Sequence, residues 1–383
     1  MPTELPPNKR RPTTAGIDLD ALAYNFHSIK KFVGHDVSFM AVVKADAYGH
    51  GATECASRLE REGVDWFGVA TLEEGIELRS NDITLPILCF GGIWPGQATA
   101  FTEMNITPAL CTLGQARELN DAAAKRSGIA DFHLKIDTGM GRIGIFPAEV
   151  EELGKAVQSL PNIKLTGVMT HFASADNLDE TAFTQEQIAR FYEAAQKLRR
   201  TGHTPTYFGM ANSPGAVAHP EARGNMIRVG GILYGLGDDV LPKGIDTPHL
   251  KPVMTLRSKI AHIKHFPRGA SVGYSRTFTA QRETAVAAVP MGYADGYPRA
   301  LSNRGKVLVQ GTFAPVIGRV SMDWLMVDVT EVETATAGDE VILIGSSSEH
   351  TITAGDLALW GGTISYEITC GTSRRVPRVY CGK

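Results

Sequence analysis

The feature that most constrains the fold is an alternation of short apolar runs with longer polar stretches of helical spacing, from residue 38 to residue 230. Short apolar runs separated by helices are typical of parallel β-strands in βαβ units. About eight such units in about 200 residues predict an α/β fold, a closed (β/α)8 barrel of TIM type. An open doubly wound sheet is the alternative, but its dinucleotide-binding form would need an early G-x-G-x-x-G turn. The runs are SFMAVVKA, WFGVA, PILCF, ITPAL, FHLKID, LTGVMTH, YFGMA and MIRVG.

A segment rich in Gly, Pro and Asp at residues 235–252 separates this pattern from a different one. Beyond it lie short β-type runs with glycine turns and few helical stretches, which predict a mainly β domain. We therefore expect a flexible leader at residues 1–13, a barrel at residues 14–248 and a C-terminal β domain at residues 249–383.

The composition excludes several classes of function. Lysine plus arginine total 38 against 41 acidic residues, so the net charge of −3 predicts no binding to nucleic acid or to an anionic membrane. No apolar run approaches the roughly 20 residues of a membrane span, and the polar N-terminus lacks the apolar core of a secretory signal. The five cysteines are scattered without a C-x-x-C pair, which argues against disulfides or a metal site. We expect a cytoplasmic enzyme.

Active sites of such barrels lie on the loops that follow the strands. The first run leads into VVKADAYGHG, so Lys44 closes an otherwise apolar strand. One interpretation is a rim lysine whose ammonium stays in water. The other is a desolvated lysine with a lowered pKa that forms a Schiff base. Gly49 and Gly51 favour the second interpretation, because they let the backbone turn sharply beside a ligand.

The fifth and sixth runs also end in polar residues. Lys135 lies inside the fifth run, and Arg142 follows in a glycine-spaced loop, where a guanidinium is suited to bind a carboxylate. An ordinary surface arginine is the alternative. His171 ends the sixth run, and a lone histidine there is more often a structural residue than a catalyst.

The loops after the seventh and eighth strands often bind phosphate in barrels of this type. The seventh run leads into Asn212 and Ser213, and Ser213 before a proline is a good helix N-cap beside an anion site. The eighth run leads into Gly230 and Gly231, whose backbone N–H groups are exposed. A phosphate here with Lys44 across the barrel mouth points to pyridoxal 5'-phosphate (PLP).

Arg228, just before those glycines, bears on which PLP reaction is run. Many PLP enzymes place a carboxylate at the pyridine nitrogen, which keeps that nitrogen protonated as an electron sink. An arginine can only donate a hydrogen bond there, because it does not deprotonate in proteins. The weaker sink shortens the life of a carbanion, which suits rapid return of a proton and disfavours transamination.

In these segments the sequence resembles the alanine racemases, PLP enzymes that combine an N-terminal barrel with a C-terminal β domain. The resemblance implies a homodimeric isomerase that interconverts L-alanine and D-alanine and supplies D-alanine for peptidoglycan. A racemase of broader specificity, acting on serine or other small amino acids, is the alternative. The matching motifs, in the family's order, are AVVKADAYGHG, KIDTGMGRIG, THFASAD, NSPG, RVGGILYG, VGYSRTF, VPMGYADGYPR, GRVSMDWLMVDV, TISYEI and RRVPR.

The resemblance implies a two-base mechanism. Lys44 carries PLP and takes the α-proton of the D-substrate, whereas Tyr274, donated by the partner subunit, takes that of the L-substrate. Racemisation needs a base on each face of a planar carbanion, which this pair supplies. A free tyrosine is a weak base at neutral pH, and in the family a hydrogen-bonded chain, here Tyr274–His171–Arg228, favours its phenolate.

The resemblance also implies the contacts of cofactor and substrate. It places Arg228 at the pyridine nitrogen, and Arg142 at the phenolic oxygen and the substrate carboxylate. Lys135 matches a lysine that can be carbamylated, giving an anion able to hold Arg142. The other residues placed at or near the cofactor, most of them at its phosphate, are Tyr48, His171, Asn212, Ser213, Gly230 and Gly231. Those at the substrate or the entrance are Met322 of the partner subunit, Tyr293 and Asp323.

One position departs from the family pattern. Arg374, in TSRRVPR, stands where members have a tyrosine whose hydroxyl lies near the cofactor. Either the phosphate lacks this contact or Arg374 supplies a charge in its place. Strict specificity for alanine is therefore open, and a longer or hydroxylated side chain, such as that of serine, is the alternative.

Three other functions compete with racemisation. A PLP barrel decarboxylase would not need Tyr274, and a metal-dependent aldolase would need a ligand cluster that the C-terminal sequence lacks. A PLP-binding homeostasis protein without turnover is a single barrel, whereas this chain has a full β domain from about Met254.

Overall fold

A computed structural model of the chain describes residues 11–347 and 350–382. The described residues form two compact units. The first unit is Leu22–Lys251. The second unit combines residues 11–21 with residues 252–382.

The unit Leu22–Lys251 is a nearly closed barrel of eight parallel strands. Strands are numbered along the whole chain, and β1 (Thr14–Asp18) precedes the barrel. The barrel strands are β2 (Ser38–Val42), β3 (Trp66–Val69), β4 (Ile87–Cys89), β5 (Thr107–Leu110), β6 (Ala130–Lys135), β7 (Ile163–Met169), β8 (Tyr207–Gly209) and β9 (Met226–Val229). Their order is β8-β7-β6-β5-β4-β3-β2-β9. The Arg228 backbone N–H donates to the Ala211 carbonyl at 2.9 Å, which bridges the gap between β8 and β9. Each predicted run overlaps one strand, and the (β/α)8 prediction is confirmed.

Helices connect the barrel strands, as βαβ units require. Thr71 and Thr112 begin two of them, because each threonine hydroxyl accepts a hydrogen bond from a backbone N–H of the first turn. None of the helices in the described ranges is long and apolar enough to cross a membrane. The helices are α1 (Leu19–Val33), α2 (Lys44–Gly49), α3 (Ala52–Glu62), α4 (Leu72–Ser80), α5 (Ala98–Glu103), α6 (Leu113–Lys125), α7 (Val150–Val157), α8 (Thr181–Arg200) and α9 (Ser213–Ala218).

The barrel core is built from side chains that point inward from most of its strands. Burial of these side chains stabilises the barrel by roughly 25 cal/mol for each Å² of apolar surface removed from water. A rigid core of this kind fixes the strand ends, where the loops with polar residues begin. The buried members of one core cluster are Met40, Trp66, Leu88, Ala109, Met169 and Met226.

The second unit is mainly β, which confirms the prediction for the C-terminal part of the chain. Its strands are β10 (Met254–Lys259), β11 (His262–Phe266), β12 (Ser271–Val272), β13 (Phe278–Thr279), β14 (Thr284–Val289), β15 (Lys306–Val309), β16 (Thr312–Ile317), β17 (Leu325–Asp328), β18 (Glu340–Ser347), β19 (His350–Ile352) and β20 (Arg378–Cys381). The main sheet has the order β11-β14-β17-β16-β15-β18-β10-β1-β20. Two short helices follow β19, α10 (Ala354–Gly361) and α11 (Ser365–Cys370).

Strand β1 belongs to this second unit, whereas we predicted that the barrel begins at residue 14. It pairs antiparallel with β10 and parallel with β20. Five residues carry too little pattern to reveal partners so distant along the chain. The predicted boundary after residue 248 likewise differs slightly from the division at Lys251.

The predicted leader, residues 1–13, is described only in its last three residues, and residues 1–10 lie outside the described residues. Arg11 donates two hydrogen bonds to the buried carboxylate of Asp295, at 2.6 and 3.0 Å. Thr13 is buried and its hydroxyl donates to the Pro290 carbonyl at 2.7 Å. The segment just before β1 is therefore anchored by its own side chains.

Candidate active site

The polar residues singled out in the barrel lie at the carboxyl ends of its strands. Because all eight strands are parallel, these ends form one rim, where barrel enzymes carry their active sites. Within the described ranges, no group of three His, Cys, Asp or Glu is arranged to hold a metal ion. The rim residues are Lys44 after β2, Lys135 at the end of β6, His171 after β7, Asn212 and Ser213 after β8, and Arg228 in β9.

Lys44 is half-buried and starts a left-handed turn, whereas we predicted that it closes a strand. Strand β2 ends at Val42, and the next four residues after Lys44, Ala45 to Tyr48, all have φ between 51° and 54°. Such a turn costs about 1–2 kcal/mol per residue for L-amino acids. Strain of this kind persists only where the surrounding structure enforces it, and it concentrates at functional sites.

Tyr48, Ser213 and Gly230 form a small cradle of hydroxyl groups. The Ser213 hydroxyl accepts a hydrogen bond from the Gly230 backbone N–H at 3.0 Å. A Cβ at position 230 would overlap the Tyr48 hydroxyl, so the close approach of the tyrosine requires glycine. Gly231 is buried and begins the short 3-10 turn that follows. The cradle therefore brings together three of the residues predicted at the cofactor phosphate, and Gly231 follows them directly.

Asn212, not Ser213, is the N-cap of α9. The Asn212 side-chain oxygen accepts a hydrogen bond from the Gly215 backbone N–H at 3.0 Å. Ser213 is the first helical residue, followed by Pro214. Asparagine and serine cap helices about equally well, so the sequence did not distinguish them. Because Asn212 caps the helix, the Ser213 hydroxyl is available to accept a hydrogen bond from the Gly230 N–H.

Arg228 is 4% exposed and its guanidinium is bound mainly by backbone carbonyls. Nη1 donates to the Gly209 carbonyl at 2.9 Å, and Nη2 donates to the Thr170 carbonyl at 2.7 Å. Burial and the nearby Arg142 lower the pKa of Arg228 to about 10, so the group stays charged at neutral pH. The carbonyls fix the guanidinium in one orientation at the end of the barrel.

His171 is neutral and its tautomer follows from its contact with Arg228. Nη2 of Arg228 lies 3.2 Å from Nδ1 of His171 and can only donate, so Nδ1 accepts and the proton of the imidazole sits on Nε2. Burial, together with the positive charge of Arg228, lowers the pKa of His171 to about 2. A histidine in this state presents an N–H donor from Nε2 across the physiological pH range.

Lys135 is buried among cations. Burial and the nearby charges of Arg228 and Arg142 lower the pKa of the Lys135 amine well below its ordinary value. Asp137 opposes this shift only in part. A neutral amine in this position is a nucleophile, unlike an exposed lysine ammonium.

The loop that carries Arg142 is shaped by Asp137, a residue that the sequence analysis passed over. The carboxylate of Asp137 accepts hydrogen bonds from the backbone N–H groups of Gly139, Gly141 and Arg142, at 3.0 to 3.1 Å. The Arg142 side chain itself is exposed. An aspartate followed by spaced glycines is a signal for such a turn and could have been recognised.

Gln187 is a second residue that the sequence analysis missed. It is fully buried in α8, and its side-chain nitrogen donates to the Thr138 hydroxyl at 3.2 Å and to the His171 carbonyl at 3.1 Å. Its side-chain oxygen accepts from the Ala173 backbone N–H at 3.0 Å. Gln187 thus joins the Arg142 loop to the His171 segment, and nothing in a polar helix marks one glutamine as buried.

The predicted site residues of the second unit are mostly exposed. Tyr274 is 71% exposed and follows Gly273, which has a φ of 75°. Met322 is 52% exposed, and its carbonyl accepts a hydrogen bond from the Ala294 N–H, which places it beside the Tyr293 turn. The structure therefore brings Met322 and Tyr293 together on neighbouring loops.

Asp323 is held by an ion pair that was not expected. Arg375 donates to the Asp323 carboxylate at 2.7 Å and also lies 3.2 Å from the buried carboxylate of Asp295. The guanidinium of Arg375 thus links the loop after β16 to the turn at Asp295. Its neighbour Arg374 has an exposed side chain.

Comparison with known proteins covers both units. The profile described as "Alanine racemase, N-terminal domain" matches residues 17–238, and "Alanine racemase, C-terminal domain" matches residues 253–380. The alanine racemase of Geobacter sulfurreducens is 47% identical over 375 residues, which are 97% of this chain and 97% of that protein.

Solved structures agree with this result. Alanine racemase from Streptomyces lavendulae has a TM-score of 0.92 at 36% identity, covering 99% of this chain and 98% of that chain. Alanine racemase from Bartonella henselae, described with covalently bound pyridoxal phosphate, has a TM-score of 0.86 at 26% identity. The latter match covers 96% of this chain and 99% of that chain.

Proposed function

The chain belongs to the alanine racemase family, and from this premise we propose that it interconverts L-alanine and D-alanine with PLP as cofactor. The observation that carries the proposal is Arg228, a buried cation that is bound by carbonyls and donates to His171. An arginine in this position suits a short-lived carbanion, and so a racemase more than a transaminase. The proposed role is to supply D-alanine for peptidoglycan in the cytoplasm.

The rim residues fit the phosphate of PLP. Tyr48 and Ser213 offer hydroxyl groups, and Gly230 leaves space that any side chain would fill. Asn212 orders the same loop as the helix cap. When bound, PLP supplies the electron sink that lets the bond between Cα and its hydrogen break. Lys44 lies on the loop after β2, which also carries Tyr48 and is next to the loop after β9, and it would attach the cofactor covalently through Nζ.

Two bases exchange the α-proton of alanine, one on each face. Nζ of Lys44, freed when the substrate amine takes its place, removes the proton from D-alanine, and Oη of Tyr274 donates a proton to the opposite face. In the reverse direction Oη of Tyr274 removes the proton from L-alanine and Nζ of Lys44 donates one. Arg142 binds the substrate carboxylate, for which a guanidinium is suited. Arg228 donates to the cofactor's pyridine nitrogen and so leaves that nitrogen without a proton.

Tyr274 comes from the partner subunit in a homodimer. The high exposure of Tyr274 and Met322 in the single chain supports this arrangement, because both side chains are available to reach another subunit. Nε2–H of His171 is the donor that stabilises the Tyr274 phenolate, which makes the tyrosine a better base. Tyr293, Met322 and Asp323 line the path of the substrate.

Lys135 is carbamylated in the active enzyme. Its amine nitrogen forms a bond to the carbon of CO₂ and releases a proton, which turns a buried amine into an anion. The lowered pKa of Lys135 supports this step, because only the neutral amine reacts. The anion then binds the guanidinium of Arg142 and holds it toward the substrate.

A racemase that also accepts serine is the second candidate. Arg374 supports it, because this exposed residue replaces the tyrosine found in relatives near the cofactor. A charged side chain that turns to solvent leaves more space beside the substrate than a packed tyrosine does. The ratio of the rates with alanine and serine measures how far this holds.

Incubation with L-alanine or L-serine in D₂O tests the proposal. Proton NMR follows the loss of the α-proton signal, and chiral chromatography follows the approach to a one-to-one mixture. We expect both in the wild-type enzyme, neither in Lys44→Ala, and strongly impaired exchange in Tyr274→Phe. A PLP-loaded protein that exchanges neither amino acid contradicts the racemase proposal.

A further inference from the structure

The left-handed turn after Lys44 needs support from its surroundings. Four successive non-glycine residues, Ala45 to Tyr48, adopt a conformation that L-amino acids disfavour. The far end of the turn is held by its own chain, since the Asp46 side chain accepts from the Ala52 N–H at 2.8 Å. The near end, at Ala45, is held by a residue of another helix.

That residue is Glu74, in the first turn of α4. One carboxylate oxygen accepts a hydrogen bond from the Ala45 backbone N–H at 2.7 Å. The other oxygen accepts from the backbone N–H groups of Ala70, at 2.7 Å, and Thr71, at 3.3 Å. Hydrogen bonds to an ionised carboxylate are shorter and stronger than those between neutral groups. Glu74 therefore ties the loop after β2 to the loop after β3.

The bond to Ala45 acts on the peptide that directly follows Lys44. Fixing this peptide fixes ψ of Lys44 and the start of the strained turn, and with them the direction in which the lysine side chain leaves the backbone. We propose that Glu74 is a positioning residue that aims Lys44 at the cofactor. The inference rests on the proposed function, in which PLP is attached to Lys44.

Glu74 also has a structural role that must be separated from this one. It is the glutamate of a capping box, in which the Thr71 hydroxyl accepts from the Glu74 N–H at 3.3 Å. A capping residue stabilises α4 but has no effect on the reaction of Lys44. A useful test therefore compares variants that damage the cap with variants that release Ala45.

Four variants make this comparison. Glu74→Gln keeps the size of the side chain but replaces one acceptor oxygen by an amide nitrogen that cannot accept. Glu74→Asp keeps the charge and shortens the reach, so the carboxylate no longer spans both loops. Glu73→Gln is the matched control for charge, because Glu73 is exposed in the same helical turn. Thr71→Ala is the matched control for the cap.

The readout is the attachment of PLP to Lys44 in the full-length protein. PLP is first removed, then added back, and samples are trapped with borohydride at intervals and the Lys44 peptide is quantified by mass spectrometry. We expect attachment to slow by about tenfold or more in both Glu74 variants, because small errors in placement slow reactions strongly. PLP also binds more weakly in both Glu74 variants, whereas Thr71→Ala lowers only the melting temperature.

Two results overturn the inference in different ways. If wild-type protein attaches PLP at Lys44 and both Glu74 variants match the controls, Glu74 only caps its helix and the proposed function stands. If wild-type protein does not attach PLP at Lys44, the proposed function fails and the inference fails with it.

Discussion

The rim of the barrel and the exposed loops of the C-terminal unit hold their predicted site residues in opposite ways. Arg228 and Ser213 on the rim are each only 4% exposed, and each makes hydrogen bonds to neighbouring strands or loops. In the C-terminal unit, Tyr274 and Met322 are 71% and 52% exposed. The difference agrees with the proposal that the barrel holds the cofactor and that Tyr274 and Met322 act in the site of a partner subunit.

The loop that carries Tyr274 nevertheless has a specific backbone conformation. Tyr274 is followed by Ser275 and Arg276, both with positive φ, and the Arg276 side chain donates to the Ser271 hydroxyl at 3.0 Å. The backbone around Tyr274 thus has a fixed conformation while the side chain is exposed, as expected for a residue that contacts a partner. We expect changes on the rim to affect stability and chemistry together, and changes at Tyr274 to affect chemistry alone.

Replacing Tyr274 is expected to have the largest effect in the C-terminal unit. Tyr274→Phe removes the proposed base and should lower kcat/KM for L-alanine by about 10²- to 10⁴-fold, the usual contribution of general acid–base catalysis. Tyr192→Phe, at an exposed tyrosine of α8 outside the proposed site, is the matched control. Exchange of the α-proton of each enantiomer in D₂O measures the effect, and equal losses in the two variants would argue against Tyr274 as a base.

Lys135→Ala tests the proposed role of the buried Lys135 amine on the barrel rim. The variant removes the proposed carbamate that holds Arg142, and misplacement of Arg142 should lower kcat/KM by about 100-fold. Carbon NMR with ¹³C-labelled bicarbonate should detect a carbamate signal in the wild-type enzyme and not in the variant. A wild-type spectrum without that signal would rule out the carbamate while leaving the two-base mechanism intact.

Gln187→Leu tests the connection between the Arg142 loop and the His171 segment. The variant leaves the Ala173 N–H and the His171 carbonyl without their side-chain partner, and an unsatisfied buried group costs about 1–3 kcal/mol. We expect a lower free energy of unfolding and about a tenfold lower kcat, because small displacements of such groups slow the reaction. Gln185→Leu, at an exposed position on the same helix, should change neither in urea unfolding and rate assays.

His133→Phe is expected to give the smallest effect, which is on the pH dependence of the free energy of unfolding. Burial lowers the pKa of His133 to about 3, so between that value and its ordinary 6.5 the unfolded chain binds a proton that the folded chain does not. The free energy of unfolding therefore falls as the pH drops through this window, by at most about 1.4 kcal/mol per pH unit. His133→Phe should make this fall shallower.

The control for the acid response lies in the other unit. His265 is exposed on β11, and His265→Phe should leave the dependence on pH unchanged. Urea unfolding from pH 7 to pH 4.5, at fixed concentrations of protein and PLP, gives the slopes. If both variants have the wild-type slope, the buried histidine does not cause the loss of stability in acid.

Much of the fold could be predicted because it rests on local patterns. Eight buried strands produce eight apolar runs, and the glycine-rich segment after the last one marks the end of the barrel pattern. Strand β1 falls within the range predicted for the barrel, but it pairs with β10 and β20, which lie far along the chain. A pattern of five residues shows that a strand can form but does not show which sheet it joins.

The site could be predicted only as far as its residues sit in motifs. Lys44, Arg228 and Tyr274 are proposed as site residues because they lie in motifs, but the left-handed turn after Lys44 has no glycine in its four residues to signal it. Glu74 and Gln187 were missed because their function depends on burial and on partners in other elements. Contacts of this kind follow from the fold and cannot be recognised in one sequence.

The central claim is that Lys44 of one subunit works with Tyr274 of the other, and a mixed dimer tests it most directly. Lys44→Ala and Tyr274→Phe chains with different tags are co-expressed, and dimers that carry both tags are purified. If the tyrosine is donated by the partner, one of the two sites has both bases, and about half of the wild-type activity per dimer returns. If the mixed dimer is as inactive as either variant alone, both bases belong to the same chain and the account is contradicted.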